Sequence, residues 1–337
     1  MKILSFFTRL LHFLPSEFSH DLALNSLKFL YFTGILNLLL PAREKIKDKA
    51  LDDKSNFLES LQNKVGFAAG LDKNGDYIDC LAALGVGFIE VGTVTPEPQS
   101  GNPKPRLFRN RKERSLINRL GFNNKGVDHL VKNLQDKKSK ILVGTSIGKN
   151  FDTSNEVAYK DYLLCLEKVY EFSDYIAVNI SSPNTENLRQ LSTDNFLRTL
   201  LTKIKSKQDV LSSSFGYKPI FIKLSPDEEL DNLKDICNLI LELKLDGIIC
   251  SNTTVDHLGK HGKGGLSGSP LKEKSSEKLR YIKNIVTDNI PIIASGGVMS
   301  VQDYQEKIDF GADLVQVYTG FIYEGPKLIY DLVNSNS

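Results

Sequence analysis

Asn179, Ser182 and Asn184 stand in the heptapeptide NISSPNT, directly after the apolar run YIAV. The amides offer hydrogen-bond donors and acceptors, and the hydroxyl between them has no acid or imidazole beside it to make it a nucleophile. Such a group can accept a proton from carbon only if it passes its own proton onward. By itself the motif also reads as an Asx or Ser turn before a helix, with Ser182 as a cap.

Other polar residues recur at the ends of apolar runs. Lys73 follows VGFAAGL, Thr93 closes FIEVGTV, and Ser146 lies in ILVGTSIG. Lys223 lies in PIFIKLSP, and Ser251, Asn252 and Thr253 end GIICSNT. Gly296 and Gly297 end PIIASGG, while Tyr318 and Thr319 follow LVQV. Three roles are open to Lys223: a Schiff-base nucleophile, a snorkelling rim residue, or a fixed cation beside a flavin ring that becomes anionic on reduction.

The eight runs are residues 65–71, 88–94, 141–148, 175–182, 219–226, 247–253, 291–297 and 314–321, and most are separated by helix-length segments. This repetition predicts a TIM (β/α)8 barrel, in which chemistry gathers at the C-terminal rim of the strands. An open doubly wound sheet is the alternative, but no GxGxxG follows the first run. Burying so many polar ends in a dry barrel costs kilocalories for each unpaired group, so a polar ligand is expected to meet them. ASGGVMS and YTGFIYEGP read as phosphate-holding loops, with a short helix starting near Gly320, and GGLSG (264–268) reads as another compact turn.

The N-terminal forty residues differ. KILSFFTRLLHFL places Ile3, Phe6, Phe7, Leu10, Leu11 and Leu14 on one helical face, and a second apolar segment follows PSEFSHD. Pro15 and the hydroxyl of Ser16 or Ser19 suggest a helical hairpin. Its helices either pack on the barrel or lie in a membrane surface, where a groove between them would admit an apolar partner. Arg9 argues against a cleaved signal peptide, and polar interruptions argue against a transmembrane span. The expected domains are residues 1–40, the membrane-associating helices; 41–64, a linker; and 65–337, the catalytic barrel.

With 337 residues and a formal net charge of +2, the chain has length for one large α/β domain and no basic stripe suited to nucleic acid. Cys80, Cys165, Cys237 and Cys250 are far apart, form no CxxC pair, and read as buried thiols. His257 and His261 lie in a glycine-rich stretch that is poor evidence of a zinc pair, so no metal is expected.

Together AGLDK (69–73), NRLGF (118–122), NISSPNT (179–185), GGLSG (264–268), SGGV (295–298) and YTGFIYEGP (318–326) resemble the dihydroorotate dehydrogenase family over essentially the whole chain. The N-terminal helices and Ser182 are similar to its membrane-associated, quinone-dependent class 2. The soluble class, which uses fumarate or NAD, usually carries cysteine at the base position and lacks the N-terminal pair. A flavin-free, lysine-dependent barrel lyase or isomerase is the remoter alternative.

The resemblance implies FMN at the barrel mouth, contacted by Ala69, Gly70, Thr93, Ser146, Asn179, Lys223, Ser251, Gly268, Gly297, Tyr318 and Thr319. It implies that Lys73, Asn118, Asn179, Asn184, Asn252 and Thr253 hold dihydroorotate or orotate, within a loop completed by Arg119, Leu120, Gly121 and Phe122. Ser182 would be the base, and His20, Arg109 and Tyr318 would line the way to a membrane quinone. Ser146 and Ser251 depart from the family's usual asparagine and threonine. Further implied are de novo pyrimidine biosynthesis, a monomer, and a peripheral place on the cytoplasmic face of a bacterial inner membrane.

Overall fold

A computed structural model describes residues 2–40, 57–182, 194–257 and 262–335. The chain begins with helices α1 (Lys2–Leu11), α2 (Ser16–Phe32) and α3 (Ile35–Leu39). Strand β1 (Val65–Phe67), helix α4 (Ile78–Ala82) and strand β2 (Phe88–Val94) open the barrel. A hairpin, β3 (Leu107–Asn110) and β4 (Ser115–Asn118), interrupts the alternation. It then resumes with α5 (Val127–Asp136), β5 (Leu142–Ile147), α6 (Ala158–Val169), β6 (Tyr175–Asn179), α7 (Asp194–Phe215), β7 (Ile220–Leu224), α8 (Leu230–Glu242) and β8 (Gly247–Cys250). After β9 (Gly265–Gly268) come α9 (Lys272–Val286), β10 (Ile292–Ser295), α10 (Val301–Asp309), β11 (Leu314–Val317), α11 (Thr319–Glu324) and α12 (Pro326–Asn334).

Eight parallel strands close in the order β1-β11-β10-β8-β7-β6-β5-β2, and each of the eight apolar runs supplies one of them. These strands are nearly all buried on both faces, as expected of a parallel sheet wrapped by helices. At the N-terminal end of the barrel the interior is aromatic: Phe88, Tyr175 and Phe221 are buried there. Glycines opposite make the room, since a Cβ on Gly144 would lie 2.0 Å from the Tyr175 ring and one on Gly247 2.3 Å from Phe221. Phe57 closes this end, with its ring centroid 5.4 Å from Tyr175 and 5.9 Å from Phe221.

A second, antiparallel sheet of order β3-β4-β9 lies at the opposite end. Residues 265–268, expected to be a turn, are a strand in register with β4, Asn118 facing Gly265 and Ser115 facing Gly268. The segment could not reveal this alone, because its pairing partner lies about 150 residues earlier.

The N-terminal hairpin both packs on the barrel and leaves an apolar face open. Leu4, Leu24, Leu27 and Leu36 are buried, whereas Phe13, Phe32 and Leu38 are 76%, 73% and 85% exposed. Neither serine caps α2 by its side chain; Ser19 Oγ donates to the Ser16 carbonyl instead. Glu17 on α2 is held 2.8 Å from Arg106, and the His12 ring bonds the Ile322 carbonyl at 2.9 Å. Among the described residues no helix is long and apolar enough to cross a membrane.

Candidate active site

The C-terminal ends of the barrel strands converge on a pocket with about 970 Å3 of empty volume, open to solvent at its mouth. Its wall includes Ala69 and Gly70 after β1, Thr93 from β2, Asn179 and Ser182 from β6 and the residues after it, and Lys223 from β7. Ser251, Asn252 and Thr253 follow β8, and Tyr318 and Thr319 follow β11. β4 and β9 contribute Asn118 and Gly268, and the loop after β4 contributes Leu120, Gly121 and Phe122. Residues expected to act together from seven of the eight runs are therefore neighbours here, because a parallel barrel brings all strand C-termini to one face.

A polar network sets the side chains on one wall. Asn179 Nδ2 donates to Thr93 Oγ1 at 2.8 Å, and Thr93 Oγ1 lies 2.9 Å from Ser146 Oγ. Asn179 Oδ1 accepts from Asn252 Nδ2 at 3.3 Å, while the same Nδ2 donates to Ser181 Oγ at 3.1 Å. Both ends of the Asn179 amide are thus committed, which fixes its orientation before any ligand arrives. In NISSPNT the two serines part ways: Ser181 joins this amide network, and Ser182, 5% exposed, lines the pocket.

Lys73 is placed by its neighbour. The buried Asp72 carboxylate accepts from the backbone N–H groups of Asp76 and Tyr77 at 3.0 and 2.8 Å, which locks the turn after β1. Burial pushes the Asp72 carboxyl up to about 6 against those bonds. Lys73 Nζ reaches Asn123 Oδ1 at 3.0 Å, and desolvation together with the Arg106 charge pushes its ammonium down to about 8.

The glycine-rich end of the pocket has room for an anion to approach the backbone. Gly297 takes φ +78°, and a Cβ there would lie 2.3 Å from Lys272 Cα, so only glycine lets the backbone run this close to α9. Gly268, Gly297, Val298 and the first residues of α11, Thr319 and Gly320, line this end. Backbone N–H groups in glycine turns can approach phosphate oxygens closely. At the pocket floor Gln316 leaves its Oε1 buried without a partner among the described residues, an acceptor that a bound group could satisfy. A polar ring with a phosphate tail fits this combination of floor and rim.

Two expected site residues stand elsewhere. Ser146 is fully buried one side chain behind Thr93, and Arg119 lays its guanidinium over the Phe108 ring, 4.7 Å from its centroid. Asn184 lies outside the described residues.

A second, apolar cavity, with about 2200 Å3 of empty volume that includes open solvent, lies between α1, α2 and the barrel. His20, Arg109 and Tyr318 line it, and Tyr318 also lines the polar pocket, so one side chain is a shared wall. Arg109 Nη2 donates to Ser19 Oγ at 2.7 Å, while its Nε is buried without a partner among the described residues. His20 lies in the second turn of α2. Burial and the nearby Lys73 charge push its imidazole down to about 4, so it is neutral near pH 7.

Glu90 and Gln316 escaped the sequence reading. Both sit inside apolar runs and point into the barrel, where Glu90 Oε1 accepts from Lys223 Nζ at 3.0 Å and Gln316 Nε2 donates to Glu90 Oε2 at 2.7 Å. A polar residue inside an otherwise apolar strand was the available signal.

The family model described as dihydroorotate dehydrogenase matches residues 54–335. A dihydroorotate dehydrogenase (quinone) of Aliivibrio fischeri is 47% identical over 329 residues, covering 96% of both chains. One of Neisseria meningitidis is 45% identical over 334 residues, covering 97% of both. The crystal structure of DHODH from Eimeria tenella in complex with ferulenol superposes with a TM-score of 0.81 at 34% identity, over 94% of this chain and 89% of the other. Barrel, pocket and near full-length similarity agree: the chain belongs to the dihydroorotate dehydrogenase family.

Proposed function

We propose that the chain oxidises (S)-dihydroorotate to orotate with FMN as cofactor and a membrane quinone as final acceptor, in de novo pyrimidine biosynthesis. The observation that carries this reading is Tyr318, the common wall of a polar pocket and an apolar cavity. A polar ring and an apolar acceptor can then be served a side chain apart without sharing a solvent route. The quinone acceptor named for the relatives agrees with it.

Bound FMN supplies the two-electron acceptor for the C6 hydride. The chain's own residues do the rest. Lys73 offsets the substrate carboxylate, and the amides of Asn118, Asn179 and Asn252 match the alternating N–H and C=O groups of the ring. Thr253 adds a hydroxyl, and Asn184 belongs to the same set by resemblance. Ser182 Oγ takes the C5 proton as its own hydroxyl proton passes to a neighbouring acceptor, so C5 loses H+ while C6 loses hydride. Ala69, Gly70, Thr93, Ser251, Gly268, Gly297 and Thr319 hold the cofactor, with Ser146 acting through Thr93, and Lys223 presents a cation at the floor. Arg119 supports the loop of Leu120, Gly121 and Phe122 over the substrate.

His20 and Arg109 serve the quinone carbonyls, and the exposed apolar face of α1 to α3 rests on a membrane surface without spanning it. The protein acts there as a monomer, on the cytoplasmic face of the inner membrane.

The test is purification in mild detergent, a flavin spectrum, and dihydroorotate oxidation with a short-chain quinone, fumarate and NAD in parallel. Quinone is expected to be the preferred acceptor, and Ser182→Ala is expected to retain flavin but slow its reduction by at least ~100-fold. A colourless protein, equal turnover with fumarate, or rapid reduction in the serine variant would overturn the corresponding part of the proposal.

A further inference from the structure

The barrel interior below the pocket holds a charged pair that the reaction as described does not use fully. Lys223 Nζ donates to Glu90 Oε1 at 3.0 Å, and the side chains are 7% and 0% exposed. Glu90 Oε2 accepts from Gln316 Nε2 at 2.7 Å and from Tyr175 OH at 3.1 Å. Tyr175 OH is also 3.3 Å from Gln316 Nε2. β2, β7, β11 and β6 each supply one member, so four strands agree on the position of one carboxylate. A buried carboxylate is expensive unless paired and bonded on every side, and this one is.

Burying both charges stabilises the fold poorly compared with apolar residues of the same size. Their worth lies in what the pocket feels. Lys223 and Gln316 line it, whereas Glu90 stands behind them. An ammonium alone would present a full positive charge to a ring above it. With the carboxylate 3.0 Å behind, the ring meets the positive end of a dipole whose field falls off faster with distance.

We propose that Glu90 is a positioning residue that pins the Lys223 ammonium at the pocket floor and offsets its charge, thereby setting the reduction potential of the bound flavin. Tyr175 and Gln316 hold the carboxylate for that task. This rests on the FMN reading above. Without such tempering, electrons taken from the substrate would be held too firmly to pass readily to the acceptor beyond Tyr318.

The test compares holoenzyme midpoint potentials, measured by dye equilibration, and the affinity of the oxidised flavin for sulfite, which adds where hydride does and is favoured by positive charge. Glu90→Gln keeps shape and removes the charge. It is expected to shift the potential upward and tighten sulfite binding by roughly tenfold or more. Glu90→Asp, retaining the charge, should return both towards the wild-type values, and Lys223→Met should move both the other way. Tyr175→Phe, a smaller change should Glu90→Gln fail to fold, removes a donor from the carboxylate and should lower the potential. An unaltered potential and sulfite affinity in Glu90→Gln, or in Tyr175→Phe where the former does not fold, would reduce Glu90 to a structural contact. A wild-type protein that binds no flavin would instead overturn the FMN reading and the inference with it.

Discussion

Asn179 on β6 donates to Thr93 on β2 at 2.8 Å, across the intervening β5, whose Ser146 touches the same Thr93 hydroxyl at 2.9 Å. Thr93→Val removes the shared oxygen and leaves two buried polar side chains without it. The expected loss is about 1–3 kcal/mol, the usual consequence of a stranded buried group. Urea denaturation with a matched Ser146→Ala control measures it. Flavin content should fall more in Thr93→Val than in the control, because only Thr93 reaches the pocket.

Lys73 makes substrate binding sensitive to alkali. Its ammonium is pushed down to about 8, so the free protein loses this cation as pH rises through that value. The substrate is an anion and binds the protonated form. kcat/KM is therefore expected to fall above about pH 8, and Lys73→Met should remove that limb while raising KM at pH 7. A pH profile of both proteins decides it.

Arg109 joins the α1–α2 turn to β3, donating to the His12 carbonyl at 3.2 Å as well as to Ser19 Oγ. Arg109→Leu is expected to slow flavin reoxidation by quinone by roughly tenfold, the loss of one or two charged hydrogen bonds. Reduction by dihydroorotate should change little, since Arg109 does not line the polar pocket. Stopped-flow measurement of the two half-reactions separates the effects.

Phe13, in the turn between α1 and α2, and Leu38, on α3, are among the most exposed apolar side chains of the N-terminal segment. Replacing both by glutamate should weaken co-sedimentation with anionic vesicles substantially, by burying less apolar surface and adding repulsion. Turnover with a water-soluble quinone analogue should be preserved. Equal binding of the variant and wild type to vesicles would exclude this face as the contact.

Lys307 is fully buried and donates to Ser275 Oγ and Ser276 Oγ at 2.7 and 2.8 Å. Desolvation pushes its ammonium down to about 8, below its unfolded value. The unfolded chain then binds more protons between about pH 8 and 10.5, so this group's destabilising effect is complete below pH 8 and is relieved as pH rises. Relative to Lys307→Met, wild-type stability should climb over that window by at most about 1.4 kcal/mol per pH unit. Denaturant melts at pH 7, 8.5 and 10 give the difference.

The sequence by itself determined the barrel and much of its rim. Eight short apolar runs ending in polar or glycine residues admit few other arrangements, and NISSPNT, AGLDK and SGGV are local enough to be recognised where they stand. Tertiary structure decided what needed pairing between distant strands. Residues 265–268 became a strand only beside Ser115–Asn118, and Ser146 moved behind Thr93 because β5 and β2 run in that register. Glu90 and Gln316 met 226 positions apart in the chain. When a strand is buried on both faces, its apolar pattern does not tell which residues point into the barrel, so only closure of the sheet selected the side chains that share its interior.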